Sequence, residues 1–346
     1  MNKVELAPGY EISPVIKGGW QISAGHSLHA EISEEVAIQE IIAFIDAGIS
    51  TLDFGDIYTG VEILIGKALS RLQERDGSLG KQKVQLHTKY VPNEATLESY
   101  DVEDARTIVL RSLERLGVER VDLVQFHWWS YEADNYLVAL EQLFLLRESG
   151  YIREIGLTNF DLPRLSKIVD AGLKPASIQI QYSILDRRPE EGMVDYCLSQ
   201  GIGILSYGTV AGGFLSERFL NQPEPTLFET RSSIKYRLII EEFGGWNLFQ
   251  ELLMTLSTMA HNHRTDIATI SSAFTLNRPG VTAVIVGARN LKHLSSNLSI
   301  PEITLTEFEC GEIKTILKKS RGPIGEVYDL ERHNDRHRSI MHTNNN

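Results

Sequence analysis

Residues 17–23 read KGGWQIS, directly after the short apolar run 14–17. An open, doubly wound α/β sheet would carry a Gly-rich phosphate fingerprint, G-x-G-x-x-G, in the turn after its first strand. That place instead holds two adjacent glycines and a tryptophan, and the triplet Gly201-Ile202-Gly203 stands before a strand rather than after one. The arrangement of the remaining strands and helices then decides between an open sheet and a closed barrel.

Outward from this stretch the chain alternates. Ile38, Ile41, Ile42 and Ile45 recur at helical spacing, with Ser33 placed to cap the start and Gly48 just past the end. An apolar strand at 50–54 follows, then a helical pattern at 61–72 and a strand at 84–88. A helix carrying Val109, Leu113 and Leu116 closes at Gly117, and strand 121–126 and helix 136–148 continue the series. Strand 152–157, a helix from 162, strand 177–182, helix 190–199, strand 202–206, strand 281–286 and helix 291–298 complete eight strand–helix units, counted from 14–17. Helices between strands force parallel pairing, because each crossover returns the chain to the same end of the sheet. Eight such units predict an α/β fold, a (β/α)8 TIM barrel. One domain is expected over residues 1–325, with a polar C-terminal tail over 326–346.

Three segments stand outside the repeat. Residues 3–13, with a Pro8-Gly9 turn, read as an N-terminal β-hairpin able to plug one barrel mouth. The long excursion after strand seven, 211–247, contains Pro223, Pro225 and FGGW at 243–246, and is expected to be a loop with FGGW as a candidate lid. It leads into a helix carrying Leu248, Leu252, Leu256 and Met259. Beyond Pro323 the chain turns polar, and its Asn-rich end reads as frayed.

With 42% hydrophobic and 23% charged residues among 346, the composition is that of a soluble globular protein. There is no long apolar run and no charged-then-apolar leader, so neither a membrane span nor a secretory signal is expected. A net charge of -12 with no basic stripe argues against nucleic acid as a partner. Cys197 and Cys310 are too few for a disulfide framework or a cysteine metal cluster, which points to a reducing, cytoplasmic compartment where the Asn297-Leu298-Ser299 sequon is idle. His333 with His337, and His261 with His263, lack supporting ligands at metal spacing, so no metal is expected.

A parallel barrel delivers every strand's C-terminal end to one face, where chemistry concentrates. After strand two come Asp53 and Tyr58, after strand three Lys89, and after strand four His127. Strands about 4.8 Å apart bring side chains from these three within roughly 10 Å of each other. Singly, each has an ordinary reading: a loop cap, packing, a surface charge, a core histidine. Together they make a carboxylate that holds a lysine charged, an ammonium that lowers a phenol's pKa, and an imidazole that orients or polarises a carbonyl. Such a set protonates a carbonyl oxygen. A glycosidase-like hydrolase would want a second carboxylate facing the pocket, and none is similarly placed. Asp56 reads as a residue that shapes the turn. Trp20, Phe54, Trp128 and Trp129 would form aromatic pocket walls for apolar or ring-containing carbonyl compounds.

In these residues the chain resembles the aldo-keto reductase superfamily, whose barrels carry an Asp-Tyr-Lys-His tetrad in this order with the D-x4-Y spacing of Asp53 and Tyr58. Further matching blocks are RSLERLGVERVDL at 111–123, GYIREIGLTNF at 150–160, IQIQYSILDR at 178–187, AGGFLS at 211–216 and VIVGARN at 284–290. The resemblance implies a nicotinamide cofactor bound without a Rossmann fold. It would place Thr158, Asn159 and Gln179 at the carboxamide, Tyr207 against the nicotinamide ring, and Gly18, Gly19 and Trp20 along the cofactor and substrate. Gly208 to Gly213, including Val210, and the Gly287-Ala288-Arg289 turn would cradle phosphates, with His293 and Asn297 beyond. The family's usual S-P-L is here Gly208-Thr209-Val210, the Pro before the strand-eight turn is Val286, and His293 stands where Arg or Gln is frequent. Arg289 is then the cation for a 2′-phosphate, which implies NADPH ahead of NADH. The implied activity is reduction of a small-molecule aldehyde or ketone, or the reverse, with Tyr58 as the acid. The alternative is a cofactor-binding sensor or ancillary subunit like the potassium-channel β subunits of the same family. No feature of the pattern sets an oligomeric state.

Overall fold

A computed structural model describes residues 1–24, 26 and 33–341. The chain begins with an antiparallel hairpin, β1 (Val4–Ala7) and β2 (Tyr10–Ile12), turning at Gly9, whose φ of 71° favours glycine. Eight parallel strands follow: β3 (Val15–Gly18), β4 (Thr51–Asp53), β5 (Gln85–Tyr90), β6 (Val121–Phe126), β7 (Ile152–Thr158), β8 (Ser177–Gln181), β9 (Gly203–Tyr207) and β10 (Val281–Gly287). They pair in chain order and β10 closes on β3, forming a barrel. The hairpin packs Leu6, Tyr10 and Ile12 against Ile16, Leu123 and Leu205, and the Tyr10 hydroxyl reaches the buried His87 Nε2 at 2.8 Å.

The crossovers are helices for the reasons the periodicity suggests. The helix α1 (Glu34–Asp46) buries Ile38, Ile41 and Ile45, and α2 (Val61–Asp76) buries Val61, Ile65, Leu69 and Leu72. A short α3 (Ser78–Gln82) is followed by α4 (Glu103–Leu116), which ends at Gly117 with φ 64°, its N–H returning to Glu114 and Leu113. A Cβ on Gly66 would meet the Arg115 carbonyl at 2.2 Å, so glycine is what lets α2 approach the end of α4. The ring continues with α5 (Tyr136–Glu148), α6 (Leu162–Asp170) and α7 (Met193–Gln200).

The excursion after β9 is not a loop. It contains α8 (Arg231–Phe243), started by a reciprocal Thr230/Ser233 capping box, and runs into α9 (Trp246–His263) and α10 (Ile267–Leu276). Tyr236, Ile239, Ile240 and Phe243 are buried at i, i+3, i+4, i+7, a helical signal that the flanking prolines obscure. After β10 come α11 (Leu294–Ser299) and α12 (Glu307–Leu317). Residues of α8, α9, α10 and α12 share a second apolar core with Phe214 and Leu215. Phe243 is buried in it and Trp246 packs on Phe214 and Phe249, so FGGW is an interhelical corner and not a lid.

Within the polar tail expected over 326–346, the residues up to Met341 are folded, while the Asn-rich end read as frayed lies outside the described residues. The segment folds into α13 (Asp329–His333) and α14 (Asp335–Arg338), and buries Val327, Tyr328, Glu331, Arg332 and His337. Residues 342–346 of the expected tail lie outside the described residues.

Candidate active site

The four expected catalytic groups meet at the C-terminal mouth. Asp53 ends β4, and its Oδ1 accepts the Lys89 ammonium at 2.6 Å; Lys89 also donates to the Phe54 carbonyl at 2.9 Å. Asp53 Oδ2 accepts from Gln125 Nε2 and from Gln179 Nε2, each at 2.6 Å. Barrel register explains the convergence, since Lys89 pairs with Gln125 on the adjacent strand. Gln125 was invisible in the sequence, because an inward-facing amide in a strand carries no spacing signal.

Burial works against the Lys89 charge, but Asp53 and then Tyr58 more than offset it, so its pKa rises and it stays an ammonium. Its Nζ lies 5.0 Å from the centre of the Tyr58 ring, which is half-buried and faces the cavity beside Trp20 at 5.1 Å. The expectation that Lys89 depresses the phenol's pKa is only half met. Lys89 pulls it down, but burial is the larger effect and Asp53 adds to it, so the pKa is raised. Tyr58 is therefore held protonated. Asp56 lies buried off the cavity, with its pKa pushed well up by burial and then by Glu62.

His127 follows β6 and is buried, its pKa lowered to about 3 by burial and then by the Arg332 charge. Its Nδ1 sits 3.2 Å from the Thr158 carbonyl, which can only accept, so Nδ1 carries the proton. Nε2 has no hydrogen-bond partner among the described residues. In this tautomer Nε2 carries a lone pair that can accept a hydrogen bond but not donate one.

These groups line a cavity of about 800 Å³ that extends to Gly208, Val210, Gly287 and the Arg289, Lys292, His293 and Asn297 end. Thr158, Asn159 and Gln179 line it too, and Tyr207 donates to Asn159 Oδ1 at 2.8 Å. Gly19 and Ala288 do not line it. The Gly19 N–H supports the Asp53 carbonyl at 2.7 Å, and the Ala288 carbonyl accepts from the buried Lys17 ammonium at 3.0 Å. Trp20 and Trp129 form walls, whereas Phe54 and Trp128 belong to the core behind the barrel. Neighbouring positions along an extended chain point to opposite faces, so with Asp53 and His127 directed to the mouth, Phe54 and Trp128 turn away. The sequence reading also missed Gln21, His26, Arg231, Lys235 and Tyr328, which come from loops and from the excursion and C-terminal helices.

The cavity suits a dinucleotide. A Cβ on Gly208 would meet Tyr236 Oη at 2.4 Å and one on Gly287 would meet Gln21 Nε2 at 2.3 Å, so bare backbone faces the space there. Two cations stand at that end, and an unpaired imidazole nitrogen and a phenol at the other.

The sequence model of the aldo/keto reductase family matches residues 14–318. The NADH-specific methylglyoxal reductase of Escherichia coli (strain K12) is 23% identical over 326 residues, covering 89% of this chain and 95% of its own length. A thermostable aldo-keto reductase crystallised with the inhibitor epalrestat superposes with a TM-score of 0.71 at 26% identity, over 91% of this chain and 100% of that one. An aldo/keto reductase from Klebsiella pneumoniae, solved with NADP and acetate, gives 0.70 at 18% identity, over 94% and 98%. With the matched region spanning the whole barrel and the carboxylate, ammonium, phenol and imidazole gathered at its mouth, the chain belongs to the aldo/keto reductase family.

Proposed function

We propose that the protein is an NAD(P)H-dependent oxidoreductase that interconverts a small aldehyde or ketone and its alcohol, with Tyr58 exchanging the proton. The observation that carries this is the meeting of Tyr58, the Asp53–Lys89 pair and the unpaired His127 Nε2 in one cavity. The cofactor, when bound, supplies or accepts the hydride. Thr158, Asn159 and Gln179 would hold its carboxamide and Tyr207 its ring, while Arg289 and Lys292 would hold a 2′-phosphate, favouring NADPH. A relative named for NADH specificity makes that preference a property of individual chains.

Tyr58 donates its proton to the carbonyl oxygen as negative charge develops there. Lys89 stabilises the phenolate left behind, and Asp53 keeps Lys89 charged and aimed. His127 lines the cavity together with Tyr58, where the reacting oxygen would lie. Trp20 and Trp129 wall the space and limit water. Replacing Tyr58 with Phe lowers turnover by about 100- to 10,000-fold and leaves NADPH binding, read from tryptophan quenching, nearly unchanged. Retained turnover in that variant would remove Tyr58 as the acid.

A further inference from the structure

Lys17 is a buried cation that the chemistry at the barrel mouth leaves unused. Along β3, Ile16 faces the barrel interior and Gly18 lines the cavity, so alternation turns Lys17 outward, between the barrel wall and α1. It is 3% exposed. On that side lies the apolar cluster of Val15, Phe44, Val286, Ala288 and Ile300. The ammonium stands 4.9 Å from the centre of the Phe44 ring and donates to the Ala288 carbonyl at 3.0 Å. A methionine would fill such a space without desolvating a charge, so the lysine sits there at a cost.

The bond it makes fixes one peptide of the turn after β10. A trans peptide is planar, with its N–H antiparallel to its C=O. Holding the Ala288 carbonyl on Lys17 therefore aims the Arg289 N–H away from the ammonium, in a turn whose Gly287 and Arg289 both line the cavity. The charge also polarises that peptide, and hydrogen bonds in series strengthen one another where the dielectric is low. Burial brings the Lys17 pKa down to about 8, against a smaller upward pull from Glu40 on α1. The other charged or titratable groups on that side are Arg289 on the turn itself, and Lys292 and His293 on the short 291–293 turn that packs against α1. The neighbouring strands β4 and β10 set Leu52 and Val286 beside Lys17 and bring no charge.

We propose that Lys17 is a positioning residue for the cofactor: by holding the Ala288–Arg289 peptide from behind, it presents the Arg289 N–H to the 2′-phosphate of NADPH. This rests on the reading of the cavity as a nicotinamide dinucleotide site. Lys17 touches no part of the cofactor and acts through one peptide, so its loss is felt by the dinucleotide that bears the phosphate.

The test is tryptophan-quenching titration with NADPH and with NADH, from pH 7 to 9.5, on the wild type, Lys17→Met and Lys17→Arg. Lys17→Met removes the donor and the charge while keeping an unbranched stem; it should weaken NADPH by about 5- to 10-fold at pH 7 and NADH by under about 2-fold. Because NADPH favours the charged lysine, wild-type affinity for it should fall several-fold as pH rises through about 8, levelling about one unit higher. Lys17→Met, which keeps Glu40, Arg289, Lys292 and His293, should lack that step. Lys17→Arg, charged throughout, should lack it too while staying tight for NADPH. Unchanged NADPH affinity in Lys17→Met, equal losses for both cofactors, or a step that survives in that variant each overturns the proposal. If the variants fail to fold, the wild type decides, since a constant ratio of NADPH to NADH affinity across this range refutes it equally. A wild type that binds NADH but not NADPH keeps the dinucleotide reading and overturns this role for Lys17, whereas one that binds neither overturns both.

Discussion

Asp53→Asn tests the centre of the site most directly. The change keeps the shape of the side chain but removes the charge facing Lys89 at 2.6 Å, where both side chains are about 5% exposed. It also sets an amide NH2 among three donors, Lys89, Gln125 and Gln179, all of which now point at the carboxylate. Breaking a buried pair by removing one partner costs about 3–5 kcal/mol, chiefly because the other charge is stranded. An unfolding entropy of about 2.1 cal/mol/K per residue gives roughly 0.7 kcal/mol/K for a chain of this length, so Tm should fall by about 4–7 °C. The folded Lys89 pKa is raised above its unfolded value. The stabilisation from that lysine is therefore complete below about pH 10 and fades only as pH rises through the folded pKa. The Tm deficit should accordingly stay constant from about pH 6 to 9. In a double-mutant cycle with Lys89→Met the losses should fall short of additive by about 2 kcal/mol, since removing both charges leaves none stranded. Differential scanning calorimetry of the four proteins decides it. A variant within 1 °C of wild type, or strict additivity, would refute the coupling of the pair.

Neutralising Arg289 with Ala should weaken NADPH by about 10- to 100-fold, the worth of a charge-assisted phosphate contact, and NADH by under about 3-fold; equal losses in fluorescence titration would move the 2′-phosphate elsewhere. His26 and His87, with pKa values lowered to about 4, and His127, lowered to about 3, are all held neutral by burial. The unfolded chain takes up their protons below about pH 6.5, so stability should fall as pH drops from there towards 4, by roughly 1.4 kcal/mol per unit for each histidine. Urea unfolding of His127→Asn across that range should show a slope shallower by one histidine, and an unchanged slope would contradict its buried neutral state.

The sequence by itself determined the barrel and the order of its chemistry. The β-run and 3.6-residue periods are local signals, and parallel pairing follows from having a helix between each two strands, so the ring of eight needed no long-range information. Asp53, Tyr58, Lys89 and His127 were legible because a strand's end is legible and every strand ends at the same face. Which way a residue points was not. Phe54 and Trp128 sit one position from Asp53 and His127, and a single step along the backbone turns a side chain from the mouth into the core. Gln125 joins Asp53 through barrel register, which no single strand encodes. The excursion's α8 was readable in period but hidden by its flanking prolines. The polar composition of the C-terminal segment concealed its role entirely, since Glu331 and Arg332 are buried only because Arg188, Lys235 and three backbone carbonyls stand ready to receive them. A charged residue reads as solvent-facing until its partner is known, and partners so distant in sequence are brought to it only by the tertiary fold.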